Sequence, residues 1–175
     1  MAKNTTASKP VNRPAFRVEG TVLRGSTETS QNVIVPEGIT EIGERAFEKD
    51  SVLCSVSLPS SLRKINTEAF SGCKSLSEVS LQYGITEIEN SAFAECNKLT
   101  SISIPSSVVK LGSAFRNCKK LEAVSITAPM KQLNQSVFFG CAKLTDVQLP
   151  PTIQSIDCFA FGQCKSLKTI VLPES

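Results

Sequence analysis

A phenylalanine recurs about every 23 residues along most of this chain. The recurring residues are Phe47, Phe70, Phe93, Phe115, Phe138 and Phe161. Successive members are 23, 23, 22, 23 and 23 residues apart, and the shorter interval reflects one residue missing before Phe115. A unit of this length cannot bury its apolar face alone, so the units must stack and share one continuous core. The spacing therefore predicts a solenoid of about six repeats.

Other residues keep the same frame around each phenylalanine. An alanine precedes it, except at Val137, and a cysteine follows three residues later, except at Asp50. A leucine follows at six residues, and two aliphatic residues follow at nine and eleven, the last such pair being Ile170 and Leu172. The period of two within each pair predicts a strand, and recurrence once per repeat predicts parallel pairing between neighbouring repeats.

Together these columns resemble the BspA-like leucine-rich repeats, a family named after a bacterial surface protein. One copy reads Ile88-Glu-Asn-Ser-Ala-Phe93-Ala-Glu-Cys96-Asn-Lys-Leu99-Thr-Ser-Ile102-Ser-Ile104-Pro105. The resemblance implies a leucine-rich-repeat solenoid of right-handed parallel β coils, with short turns or helical segments between the strands. It also implies a non-enzymatic protein, because such repeats are typical of surface or secreted adhesins and interaction scaffolds and share no catalytic residue.

Three segments are expected along the chain. Residues 1–15 are polar, and we expect them to be disordered. Residues 16–32 look like the lead-in of such arrays, and Glu19-Gly20 between two apolar runs predicts a β-hairpin that caps the first coil. Residues 33–175 then form the solenoid. Its C-terminal edge has no polar cap, so we expect either further repeats or self-association through that edge.

The composition argues against most catalytic and metal chemistry. The chain has no histidine, which removes the usual general base and the commonest metal ligand. We therefore expect no catalytic residue, no metal site and no cofactor. The formal net charge of +3 is too small to indicate nucleic-acid binding. No apolar stretch is long enough for membrane insertion, and no secretory signal peptide is visible.

The cysteine column favours a structural interpretation over redox or metal chemistry. Its members are Cys73, Cys96, Cys118, Cys141 and Cys164. Metal sites usually contain cysteines two to four residues apart, and no such pair exists here. By the family resemblance, the column implies a buried ladder that satisfies backbone groups at a turn. Cys54 and Cys158 lie outside the column, and either is a candidate reactive thiol.

Two exposed surfaces are candidates for binding. The first is the outward side of the predicted sheet, the usual binding surface of horseshoe repeats, with Ser55, Ser57, Glu78, Ser80, Ser101, Ser103, Ser125, Asp146, Gln148 and Thr169. The second is a basic ridge four or five residues after the phenylalanines from Phe70 onward, with Lys74, Lys98, Lys119, Lys120, Lys143 and Lys165. The alternative interpretation is that both sets are solvated surface, since serine contributes little anchoring energy at interfaces and charge runs usually face water.

These observations lead to one functional expectation with two alternatives. We expect a protein-interaction or adhesion module that presents its sheet to a partner protein. The alternatives are a structural spacer and a glycan-binding module that uses the basic ridge. The resemblance implies a cell-surface or secreted location, whereas the visible sequence, without a signal peptide, favours the cytoplasm if it is complete.

Overall fold

The computed structural model describes residues 16–27 and 29–173, which form a β-solenoid without helices in those ranges. The predicted disorder of residues 1–15 lies outside the described residues. The strands are β1 Phe16–Glu19, β2 Val22–Ser26, β3 Asn32–Ile34, β4 Glu41–Ile42, β5 Ser55–Ser57, β6 Lys64–Ile65, β7 Glu78–Val79, β8 Glu87–Ile88, β9 Ser101–Ile104, β10 Lys110–Leu111, β11 Ala123–Ile126, β12 Gln132–Leu133, β13 Asp146–Gln148 and β14 Ser155–Ile156. We number the coils 1 to 6 by their phenylalanines, from Phe47 to Phe161.

The chain enters the solenoid through an antiparallel hairpin. Strands β1 and β2 pair around a turn at Gly20, whose φ of 59° lies in the left-handed region. Strand β2 then pairs in parallel with β4, so that Leu23 lies beside Ile42. The hairpin therefore adds strands to the solenoid wall, and Phe16 packs partly buried against the core. That it serves as a cap stays a prediction.

One strand of each coil contributes to the first wall, as the aliphatic pairs predicted. Its strands pair in parallel as β3-β5-β7 and β9-β11-β13, with no strand pairing between β7 and β9. Inward positions such as Val56 and Ile102 are buried, while the alternate residues face solvent. The strand expected at Ile170 and Leu172 is not formed. There the chain is exposed, and Val171 retains 81% of its accessible surface.

A second wall of two-residue strands was not foreseen. Strands β2, β4, β6, β8 and β10 pair in parallel, and β12 pairs with β14. Strands β4, β6, β8, β10 and β12 each contribute one buried aliphatic residue, such as Ile65 or Ile88, and one outward residue, which is charged in most of them. In β14 the aliphatic residue, Ile156, is half-buried. Charged residues on the outside of this wall form ion pairs between coils. Nζ of Lys64 lies 3.0 Å from Oε2 of Glu87 and 3.2 Å from Oε1 of Glu89.

The third wall consists of stacked turns around the phenylalanines. Residues two before and two after Phe70, namely Glu68 and Gly72, have positive φ angles, and the equivalent positions repeat this in most coils. Alternate N–H groups then point along the solenoid axis towards the next coil. Phe47 N donates to Ala69 O, Phe70 N to Ala92 O, Phe93 N to Ala114 O, Phe115 N to Val137 O and Phe138 N to Ala160 O. These bonds form an unbroken column of hydrogen-bonded peptide groups.

The core lies between the three walls and is centred on the phenylalanine rings. Consecutive rings stack nearly parallel, with centroids 5.2 Å apart between Phe70 and Phe93 and 5.6 Å apart between Phe138 and Phe161. Phe70, Phe93, Phe115 and Phe138 are fully buried, whereas Phe161 in the last described coil is half-buried. The small alanine before every ring except Phe138, which follows Val137, lets the turns approach closely.

Candidate binding surfaces

The outward side of the first wall is a mostly polar surface, which we call the serine face. The structure describes all ten residues predicted for it, and most are exposed, although Ser55 and Ser125 are half-buried. Nine of them lie on strands of the first wall or directly beside one, whereas Thr169 lies outside any strand. Strands β9, β11 and β13 hold the most continuous part of this face.

That continuous part is a shallow depression across three coils. Ser101, Ser103, Ser125, Asp146 and Gln148 line it, and the Ser125 hydroxyl donates to Gln148 Oε1 at 3.3 Å. The register brings these residues side by side, because Ser125 pairs with Ser103 on one side and Gln148 on the other. At the other end of the face, Ile34 pairs with Ser57 and remains 72% exposed.

The basic ridge follows the third wall along the solenoid. All six predicted lysines are exposed. Among the described residues only Lys143 of this set lies within ion-pairing distance of a carboxylate, 4.0 Å from Glu122. The structure therefore leaves an accessible line of positive charge along several coils, separate from the serine face.

The cysteine column lies inside the coils, behind the third wall. All five thiols are buried, and each donates to the backbone carbonyl of the phenylalanine in the preceding coil, as from Cys73 Sγ to Phe47 O at 3.0 Å. Burial raises the pKa of Cys73 to about 12 and raises the pKa of Cys96 and Cys118 well above the ordinary thiol value. Such thiols are poor nucleophiles and poor metal ligands at neutral pH.

The remaining candidate thiols stand apart from the column and from each other. Cys54 is half-buried and donates to Val52 O at 3.3 Å, and Cys158 is exposed in coil 6. No group of three or more Cys, Asp or Glu side chains in the described part of the chain is arranged to hold a metal ion. In coil 1, Asp50 replaces the cysteine, and its Oδ1 accepts the N–H groups of Val52 and Leu53.

Sequence reasoning missed a polar groove between coils 4 and 5, although the 22-residue interval before Phe115 was its signal. The missing residue shortens the path from β10 into the turn, and β10 does not pair with β12. In coil 4 the backbone N–H of Gly112 donates to Ile88 O of the preceding coil. In coil 5 a side chain makes the equivalent bond, because Nδ2 of Asn134 donates to Leu111 O at 2.7 Å. The groove that remains has a volume of about 450 Å³.

A second column of hydrogen bonds in the third wall, two residues before the phenylalanines, is interrupted at this groove. In coil 2 the backbone N–H of Glu68 donates forward to Asn90 O. Its counterpart in coil 4, Ser113, instead donates backward to the side-chain Oδ1 of Asn90 at 3.0 Å. The backbone carbonyl of Gln135, the expected forward acceptor, is left without a donor among the described residues.

The repeat geometry and its residue columns match a known family. The sequence model of the BspA-type leucine-rich repeat region matches six copies, over residues 25–145 and 109–175. The chain belongs to this family. As a BspA-type repeat protein it places its columns as expected, with the phenylalanines stacked in the core and the aliphatic pairs in parallel strands. No curated protein sequence matches the chain significantly.

Solved bacterial leucine-rich repeat proteins share the fold of this BspA-type chain. A leucine-rich repeat protein from T. pallidum is 26% identical, with a TM-score of 0.69 over 93% of this chain and 91% of its own. One from Bacteroides ovatus is 25% identical, with a TM-score of 0.71 over 95% of this chain. A leucine-rich cell surface protein from Faecalibacterium prausnitzii, 24% identical, has a TM-score of 0.75 over 90% of this chain.

The chain spans 54% of the length of the second and third of these proteins. Within the described residues, no helix is long and apolar enough to cross a bilayer.

Proposed function

We propose that this BspA-type chain is a non-enzymatic interaction module that presents its serine face to a partner protein. The supporting observation is the continuous, in-register surface of β9, β11 and β13, whose outward residues are exposed on β9 and β13 and half-buried on β11, and whose backbone is fixed by parallel pairing. Rigid display of side chains lowers the entropic cost of binding. The concave or flat sheet of a solenoid is the surface that repeat proteins commonly use for recognition.

The experiment compares two surface variants as immobilised bait. Ser103→Arg with Ser125→Arg places two large charged side chains on the serine face, while Lys98→Gln with Lys143→Gln neutralises the basic ridge. Cell-surface protein extract is passed over each bait, and the retained proteins are quantified by mass spectrometry. We expect a set of proteins that both the native chain and the ridge variant retain and that the serine-face variant loses. Equal retention by the serine-face variant would reject the proposal, and loss with the ridge variant alone would assign binding to the lysines.

We propose also that the protein works at the cell surface or after secretion. Support comes from the similarity in fold to the cell surface protein of F. prausnitzii. The test is to treat intact source cells with an impermeant lysine-reactive biotin reagent and to detect labelled chain. Labelling only after lysis would place the protein inside the cell.

The edge of coil 6 supports a further proposal of self-association. In coil 5 the N–H groups of Ser136, Phe138 and Gly140 donate to backbone carbonyls of coil 6. The equivalent N–H groups of coil 6 have no backbone acceptor among the described residues, and they belong to Phe159, Phe161 and Gln163. Phe159 also leaves 65% of its surface exposed beside them. Light scattering across a concentration series should show a rise in mass that Phe159→Lys suppresses. A constant monomer mass at high concentration would reject the proposal.

A further inference from the structure

The groove between coils 4 and 5 brings together polar groups that do not satisfy one another. Arg116 is exposed and has no carboxylate within 4.0 Å in the part of the chain that the structure describes. Its guanidinium lies over the Phe139 ring, 5.5 Å from the centroid, and this contact holds it beside the groove. Across the groove lies the carboxylate of Asp157, whose Oδ1 accepts a hydrogen bond from Gln132 at 2.8 Å. A cation and an anion thus line one cavity without forming an ion pair.

Uncharged groups in the same groove add both donors and acceptors. The Asn90 side chain accepts from Ser113 through Oδ1, while its Nδ2 donates to no group among the described residues. The carbonyl oxygen of Gln135 lacks the N–H donor that its counterparts in other coils have. A ligand that carries several hydroxyl groups can satisfy such a mixture, because each hydroxyl both donates and accepts.

The charge and size of the groove narrow the ligand class further. A planar guanidinium that no carboxylate of the described residues approaches favours a ligand carboxylate, which it can bind through two parallel hydrogen bonds. The volume of about 450 Å³ lies in the range of pockets that take small molecules. We propose that the groove binds a carboxylated sugar residue of the uronic-acid type. Arg116 pairs with the sugar carboxylate, Asp157 and the Gln135 carbonyl accept from hydroxyls, and Asn90 Nδ2 donates to a ring or hydroxyl oxygen.

The site is distinct from the serine face and from the basic ridge. It arises from a single missing residue, so it occurs at one position in the described array rather than once per coil. For this reason its ligand is a single sugar or one residue of a longer chain, not a partner that follows the repeat. Sugar binding in the groove and protein binding on the serine face use different residues, so either can be absent without the other.

The test is an amide NMR titration of the full chain with glucuronate, glucose and acetate in parallel. Glucuronate should cause saturable shifts at the backbone amides of Ser113, Arg116 and Gln135 and at the side-chain amide of Asn90. Glucose should bind about tenfold more weakly, because it lacks the charged partner of Arg116. Acetate shifts as large as those of glucuronate would show recognition of charge alone and overturn the proposal. Absence of shifts with glucuronate at its highest soluble concentration would also overturn it.

Two variants locate the effect within the molecule. Arg116→Gln should reduce glucuronate affinity about tenfold towards that of glucose, whereas Lys143→Gln on the basic ridge removes the same charge and should leave it unchanged. Equal losses in both variants would show a general effect of net charge and count against the groove.

A third variant inserts one asparagine between Gly112 and Ser113. It restores the 23-residue interval, and we expect it to close the groove, raise the thermal unfolding temperature and abolish the shifts. Retained binding in a folded insertion variant would contradict the proposed site. If that variant does not fold, the comparison of Arg116→Gln with Lys143→Gln decides.

Discussion

The Sγ of Cys96 donates a hydrogen bond of 3.3 Å to the backbone carbonyl of Phe70, 26 residues earlier in the chain. The same carbonyl accepts the N–H of Cys73 within its own coil. Each column thiol therefore ties one turn to the preceding turn at a carbonyl that is already engaged. This geometry requires a protonated thiol, because a buried thiolate could not donate and would lie against a carbonyl oxygen.

Alkaline pH should consequently destabilise the fold. Burial raises the pKa of all five column thiols in the folded chain, so above about pH 8.5 the unfolded chain loses protons that the folded chain keeps. Their contribution to stability is complete below the unfolded pKa and is lost as pH rises towards the folded one. Urea denaturation at pH 8.5 and pH 9.5 should show a fall of about 1 kcal/mol for each of the four fully buried thiols, Cys73, Cys96, Cys118 and Cys141, and a smaller fall for the less deeply buried Cys164.

The variant Cys96→Ala provides the control for this effect. It removes one buried thiol, so the fall in unfolding free energy between the two pH values should shrink by about 1 kcal/mol. The variant Cys158→Ala removes an exposed thiol outside the column and should leave the pH dependence unchanged. An identical dependence in Cys96→Ala and the native chain would contradict the ladder.

Truncating a central phenylalanine should be among the most damaging single changes. Phe93 is fully buried between Phe70 and Phe115, with centroid distances of 5.2 Å and 5.4 Å. Phe93→Ala leaves a cavity between two rings and should reduce the free energy of unfolding by about 3–5 kcal/mol in urea denaturation. Phe161→Ala should cost clearly less, because that ring is half-buried and stacks on one neighbour. Similar losses in the two variants would show that the stack does not act as the core.

The entry hairpin offers a matched pair of glycines. Gly25 has a φ of +141°, and a Cβ there would lie 2.8 Å from Ala46 O, whereas Gly20 has a φ of +59° with open space around it. Gly20→Ala should cost about 1 kcal/mol for the left-handed backbone alone. Gly25→Ala should cost more, since the hairpin must move away from coil 1. Thermal unfolding measures both, and a smaller shift for Gly25→Ala would indicate that the hairpin is not held against the solenoid.

The ionic cluster of the second wall should give a distinct acid response. Hydrogen bonds from Lys110 first and then Lys64 lower the pKa of Glu89, and Nζ of Lys110 lies 2.8 Å from its Oε1. A lowered pKa contributes stability above the unfolded value of about 4.3 and loses it as pH falls through the folded value. Glu89→Gln should therefore flatten the decline in unfolding free energy below pH 5, as followed by urea denaturation. Glu78→Gln, on the exposed first wall, should not.

The parts of the fold that the sequence predicted are those set by burial. Phe93, Cys96 and Leu99 recur because each occupies an equivalent buried place in successive coils, so the repeat, the core and the first wall could be read directly. The second wall was missed because strands such as Glu87–Ile88 have only two residues, too few for a period of two to be visible. The last expected strand failed for a different reason, since Ile170 carries the pattern but pairs with no strand.

The turns could not be predicted from residue preferences. Left-handed positions two residues from each phenylalanine carry Lys49, Glu95 and Asn117 as well as glycine, so stacking rather than local propensity imposes the conformation. Among the candidate sites, exposure of the lysines and serines followed from the repeat frame. The groove near Arg116 did not follow from the repeat frame. The one-residue deletion shows that a coil is irregular, but the groove is located only by the hydrogen bonds that are missing in the second and third walls.

The column of peptide groups in the third wall has an electrical consequence. Its five forward hydrogen bonds, from Phe47 N through Phe138 N, align successive amide dipoles head to tail, as in an α-helix but at right angles to the local chain. The amide hydrogens all point towards coil 6, so that end of the stack is the positive pole and coil 1 the negative pole. The third wall is thus polarised along its length, whereas bonds of the second wall, such as those from Gly43 N to Leu23 O and from Asn66 N to Ile42 O, point the opposite way. The positive pole of the third wall lies in coil 6, beside Phe161.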